Sequence, residues 1–360
     1  MNKATTVVFA TASVLFACDG CGDPDPTGLP DISVSDMGAD VAPDVADSAR
    51  PDAPDMGDSM LGSRVLLPEQ DGVDPGGATD ITTSLDGEAR AGRFTSSDTG
   101  FHGLWSHCKQ GDFKLYNDSV EACISNEVSA RYETFAGGSL LDVRSIAQTG
   151  PDVFDLLSGS IGYNTVHAET VRVLRDGSDG GPAVIRVEGT DMPSAYFVGV
   201  AGHQLFKPLG LTVAVEYRLG PSDDFIEVLT FVTNNTDGPA MVQKGDLIGW
   251  GDRTDVFRQD YGFSTGVGEF SWMAAYGAGH AFAWVTPDDT LKSLTSSFGS
   301  LPWEITQAAA FVLQPGESFA HFGQLVVGES LDPVLLRAQE LLGNTPPQQR
   351  ILIVQDMAGD

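Results

Sequence analysis

The most regular feature of the chain is a period of two. In "ETVRVLRDGSDGGPAVIRVEG", Val171 and Val173 alternate with Arg172 and Leu174, and "PAVIRVEG" returns after a turn. Alternation of this kind marks a half-buried strand. Asp176-Gly177 and Gly180-Gly181 tolerate positive φ, so the stretch predicts a hairpin. "LTVAVEYRLGPSDDFIEVLTFVTNNTDGP" predicts a second, with Gly220-Pro221 and Asp223-Asp224 in the turn and Asn234 to Pro239 ending it. "HAFAWVTPDD", "AAAFVLQPGES" and "FAHFGQLVVGES" follow the same grammar. Strands separated by turns, without helices between them, argue against a parallel α/β sheet. The expected fold is mainly β: a large antiparallel β-sandwich.

One segment near the end changes period. Val334, Leu335, Ala338, Leu341 and Leu342 form an apolar stripe at helical spacing. Asp332 is the expected N-cap, Pro333 the first helical residue, and Gly343 the residue just past the end. This C-terminal helix should pack on a sheet face. The tail 346–360 contains "RILIVQDMAGD", expected as a lone strand that opens a further module.

The first sixty residues have no β grammar. One positive charge, Lys3, precedes an uncharged, mostly apolar run of fourteen residues, Ala4 to Ala17. A spanning helix needs about 20 residues, so the run reads as the core of an export signal at residues 1–17. Leu15-Phe16-Ala17-Cys18 resembles the lipobox of bacterial lipoprotein signals, though Phe16 is bulkier than that pattern's usual small residue. The resemblance implies that Cys18 becomes the first mature residue and carries lipid. One acyl chain binds a membrane only marginally, at about 0.8 kcal/mol per buried methylene; two or three chains hold stably. An ordinary cleaved signal, with Cys18 paired to Cys21, is the alternative.

Asp19 to Met60 holds eleven Asp, six Pro and a single basic residue, Arg50. Such a segment cannot bury enough apolar surface to offset its ordering entropy, so residues 18–60 are expected to be a disordered acidic tether. Residues 61–345 then form the sandwich domain. Of the net charge of −30, residues 61–360 carry −21. An acidic surface repels phosphate, so nucleic acid is not an expected partner.

Cys108 and Cys123 read most simply, in an exported chain, as a disulfide closing a short loop. A metal site with His102 and His107 is the rival. Their five-residue separation suits neither helical pairing nor zinc spacing. No metal or cofactor is expected.

Several stretches resemble a β-rich domain of lipoproteins in some Gram-negative bacteria. They are "GDFKLYNDSVEACI", "GGSLLDV", "RDGSDGGPAVIRVEG", "FIEVLTFVTNNTDGP" and "GDLIGWGD". That domain is similar to the supersandwich of galactose-mutarotase-like proteins. The resemblance speaks to fold more than to chemistry. Some members carry a downstream hydrolase module of the PHP type, which needs a His-x-His ligand pair. This sequence has no His-x-His, so the resemblance does not bring that activity.

A sugar epimerase needs a general acid and base flanking its substrate. His203, His280 and Glu216 are the candidate residues, but no local motif joins them. Gly262-Phe263-Ser264-Thr265-Gly266 matches a nucleophile elbow in letters, yet lacks the required strand-to-helix setting. Trp250 and Trp272 flank a glycine-rich region and are the candidates for stacking on a sugar ring. The expectation is therefore a membrane-anchored envelope lipoprotein, periplasmic or at the cell surface. Its non-catalytic sandwich head would bind or scaffold, with carbohydrate and another envelope protein as candidate partners beside the membrane lipid. The alternative is a carbohydrate-active enzyme of the epimerase or polysaccharide lyase type.

Overall fold

A computed structural model describes residues 65–69, 86–102, 106–128, 136–148, 153–195, 198, 206–251, 254–260, 262–263, 268–298 and 301–344. The leader 1–17, Cys18, the tether 18–60, the tail 346–360, His203 and Ser264 lie outside the described residues. The strands are β1 (Arg90–Arg93), β2 (Phe113–Tyr116), β3 (Val120–Ile124), β4 (Leu140–Ser145), β5 (Leu156–Ile161), β6 (Asn164–Arg175) and β7 (Ala183–Pro193). They continue as β8 (Thr212–Leu219), β9 (Phe225–Thr233), β10 (Ala240–Val242), β11 (Lys244–Gly249), β12 (Asp255–Arg258) and β13 (Glu269–Phe270). The last are β14 (Trp272–Gly277), β15 (His280–Val285), β16 (Leu291–Phe298), β17 (Leu301–Gln307), β18 (Phe311–Leu313) and β19 (Ser318–Gly328), before the helix α1 (Leu331–Leu341).

Antiparallel pairing links seventeen strands into one sheet, while β10 and β18 form a separate ribbon. The sheet doubles back on itself. Its first layer runs β6, β7, β8, β9, β19, β15, β14, β12. Its second runs β1 to β5 in order, then β11, β17, β16 and β13. The two join at the tight β5–β6 turn, where Ser160 pairs with Thr165 and Ile161 with Asn164. Both predicted hairpins are present as β6–β7 and β8–β9.

Alternation places one set of side chains between the layers. Inward positions of the first layer (Ile185, Val187, Val215, Tyr217) meet Leu115, Ile124, Leu140 and Ile248 of the second in one buried cluster. Each wholly buried Leu, Ile or Phe stabilises the fold by about 1.5–3 kcal/mol. The Trp284 ring lies against Gly323 so closely that a Cβ there would stand 2.1 Å from it.

Helix α1 covers the outside of β14 and β15. Its Leu331, Val334, Leu335 and Ala338 are buried against Ala274, Ala281, Ala283 and Val326. The small alanines let the helix approach, and burial on both faces explains why β15 is buried at every position. The helix begins two residues earlier than the sequence suggests: Ser330 is the N-cap, without a side-chain cap bond, and Asp332 sits in the first turn. There its charge still favours the positive end of the helix dipole. Gly343 follows the C-cap with φ +71°, as expected.

Candidate binding site

On β11, Ile248 points into the core, so Gly245 and Leu247 face outward. The same alternation on β17 turns Thr306, opposite Asp246, inward and Gln307, opposite Gly245, outward. Lys292 pairs with Gln307, and Glu269 pairs with Lys292. Adjacent strands thus build a polar row, Glu269–Lys292–Gln307, on the outer face of the second layer.

That row lines a pocket of about 370 Å³ together with Gln243, Thr290 and Ala308. The Gln243 side-chain amide donates to the Ala308 carbonyl at 3.3 Å, which holds one wall. Lys292 Nζ lies 3.2 Å from Glu269 Oε1, and both side chains are exposed. Gln307 is buried, and its amide nitrogen has no hydrogen-bond partner among the described residues. Amide donors and acceptors, a hydroxyl and a solvated ion pair suit a ligand rich in hydroxyl groups.

A second polar assembly lies between the layers. Asp246 Oδ2 accepts from Trp284 Nε1 at 2.8 Å and from Thr306 Oγ1 at 3.2 Å. It also lies 2.9 Å from His321 Nε2, while His321 Nδ1 lies 3.2 Å from Asp289 Oδ2. Lys244 Nζ stands 3.5 Å from Asp289 Oδ1. Burial alone would lower the pKa of His321. The Asp246 carboxylate, with Asp289 behind it, outweighs this and raises the imidazole to about 9. The ring is then an imidazolium that donates from both nitrogens. The hydrogen bond from His321 holds the Asp289 carboxyl below its ordinary range, against partial burial. With both ring nitrogens engaged, this assembly ties β19 and β15 to β11 and β17 and holds a proton in the interior.

Of the catalytic candidates from the sequence, the two among the described residues, Glu216 and His280, do not converge. Glu216 is wholly buried on the outer face of the first layer, accepting from Arg186 Nε at 2.8 Å and Arg218 Nε at 2.9 Å. His280 is wholly buried on the inner face of the same layer, stacked on Phe282 at 6.2 Å between centroids. The two point to opposite sides of the sheet. The expected tryptophan groove is not formed by its two residues. Trp250 is wholly buried and packs edge-on against Phe154, and Trp272 lies beneath α1, stacked on Phe257. Neither ring offers an open face.

Cys108 and Cys123 are bonded, with their Cα atoms 5.9 Å apart. Among the described residues, the one group of three with metal-ligand proximity is Cys108, Asp112 and Cys123, and the disulfide removes its thiolates. His107 Nε2 lies 3.3 Å from Asp155, while the backbone amides of His107 and Cys108 donate to Asp142. Sequence reasoning singled out neither the pocket residues nor Asp246, Asp289 and His321.

No family model matches the chain, and no curated protein matches it. Solved structures do. A TPR-domain containing protein from Parabacteroides distasonis aligns over 73% of this chain at 10% identity, TM-score 0.44, and this chain spans 55% of its length. A galactose mutarotase-like protein from Clostridium acetobutylicum aligns over 68% of this chain and 99% of its own, at 10% identity and TM-score 0.39. Another, from Lactobacillus casei, aligns over 61% and 100% at 11% identity and TM-score 0.38.

Proposed function

We propose that this chain is a lipid-anchored protein of the cell envelope whose sandwich head binds carbohydrate without transforming it. The observation that carries the binding reading is the outer-face pocket, with its row of Gln307, Lys292 and Glu269 and its flanking Gln243 and Thr290. Its volume of about 370 Å³ lies within the usual range for small-ligand sites. Vicinal hydroxyls can both donate to Glu269 and accept from Lys292, replacing the water that solvates this pair. The net charge of −30 disfavours acidic sugars, so the ligand class is a neutral glycan. The anchor reading rests on the Ala4 to Cys18 run and the acidic stretch after it. Among the described residues, no helix is long and apolar enough to cross a membrane.

The enzyme alternative needs an acid and a base on either side of one sugar. Glu216 and His280 do not supply that pair, because they face away from each other.

Titrating the full chain carrying Cys18→Ala with neutral and acidic oligosaccharides tests the binding. Neutral sugars should bind, and Lys292→Ala with Gln307→Ala should weaken them about tenfold, or 1.4 kcal/mol. Failure of every neutral sugar to bind would remove the carbohydrate reading. Labelling cells with an alkyne fatty acid tests the anchor separately: Cys18→Ala should abolish the label, and equal labelling of the variant would refute lipidation.

A further inference from the structure

The outer face of the first layer is not bare. Residues 65–69 cross β8, β7 and β6, and alternate residues of this segment engage successive arginines. Arg218 Nη2 donates to the Val65 carbonyl. Arg186 Nη2 donates to the Leu67 carbonyl, and the Leu67 amide donates to Glu216 Oε1 at 3.2 Å. Arg172 pairs with Glu69, whose carboxyl is held below its ordinary range chiefly by that hydrogen bond. Leu67 thus meets a donor and an acceptor from one cross-strand pair, Arg186 and Glu216, as it would meet the edge of a neighbouring strand. Arg172, Arg186 and Arg218 account for three of only twenty basic residues in the chain. Glu216 and Glu188 lie among them, and the one carboxylate of the strap, Glu69, pairs with Arg172, while the strap backbone meets the other two arginines.

We infer that the β6–β8 face is a binding site for an extended peptide, and that its occupant is the chain's own Val65–Glu69. This strap lies on the outer face of the first layer, whereas the polar pocket lies on the outer face of the second. The strap does not depend on the anchored, sugar-binding reading.

Amide exchange and a spin label test the strap without lipid or sugar, so its failure is distinct from failure of the functional reading. In the full chain carrying Cys18→Ala and Cys21→Ala, the Leu67 amide should exchange at least about tenfold more slowly than an open peptide. Glu69→Arg sets two cations against each other and should speed that exchange about fivefold; adding Arg172→Glu should restore it. A nitroxide on Ser63→Cys should broaden amide signals of β6–β8 and spare those of Lys292 and Gln307. Open-peptide exchange at Leu67 in the unaltered strap, or equal broadening of the two faces, would overturn the inference.

Discussion

Arg186, Glu216 and Arg218 occupy two neighbouring strands on the outside of the first layer; Asp246, His321 and Asp289 come from β11, β19 and a loop and meet between the layers. Arg186, Glu216, Arg218, Asp246 and His321 are buried and Asp289 only partly so, and the two clusters hold their charges differently. In the outer one a single carboxylate faces two guanidinium groups, and the strap carbonyls of Val65 and Leu67 take up further N–H donors. In the inner one two carboxylates share one imidazolium, and a tryptophan and a threonine complete the shell of Asp246. The outer cluster is a cross-strand pattern on neighbouring strands of one layer. The inner one exists only because two layers are stacked. It is also the cluster that contains a group whose charge changes in the mildly alkaline range.

The largest expected effect breaks the outer cluster. Glu216→Ala leaves two buried guanidinium groups facing each other and should cost about 3–5 kcal/mol in guanidinium chloride denaturation. Replacing all three residues by apolar ones of similar volume should cost far less, because the desolvation penalty leaves with the charges. A small loss for Glu216→Ala would mean that water reaches this cluster.

Raising the pH probes the inner cluster alone. The folded pKa of His321 is about 9 and its unfolded value about 6.5, so its contribution is fully present below pH 6.5 and is lost as pH rises through 9. The shift corresponds to about 3 kcal/mol. Subtracting the stability of His321→Gln from that of the native chain, at pH 6 and pH 10, isolates it; an unchanging difference would show that the ring is not charged. Asp289 acts with the opposite sign. Its lowered pKa contributes stability that is lost as pH falls through the carboxylate range.

Trp284→Phe removes one donor to Asp246 together with the Cζ2–Cη2 edge that lies over Gly323, at an expected cost of about 2–4 kcal/mol. Thr306→Val, nearly the same shape, should cost about 1 kcal/mol, since Asp246 keeps its other partners. If the tryptophan change proved the milder of the two, the order of importance around Asp246 would be reversed.

Elements set by neighbours in sequence were legible. The turn residues at Asp176-Gly177 and Gly220-Pro221 join strands that pair directly, and the stripe from Val334 to Ala338 lies on the sheet as its spacing implies. The helix start was displaced by two residues because Ser330 takes the extended backbone of a cap without making a cap bond. The site residues were harder. His321 lies 75 residues from Asp246 and 32 from Asp289, and nothing local marks any of them as partners. Trp250 and Trp272 stood out as large aromatics near glycines, but the same apolar area that would suit a sugar also drives burial, and packing claimed both rings.

Local chemistry by itself determined the strand class, the hairpins, the helix and the acidic balance, because each depends on residues within a turn or a strand of one another. Which face of each strand became core, which charges met across it, and where a polar row was left open to form the pocket were decided by the tertiary structure. The reason is geometric. In an antiparallel sheet folded onto itself, register carries one strand's alternation across to its neighbours, and stacking the layers joins residues with no proximity along the chain.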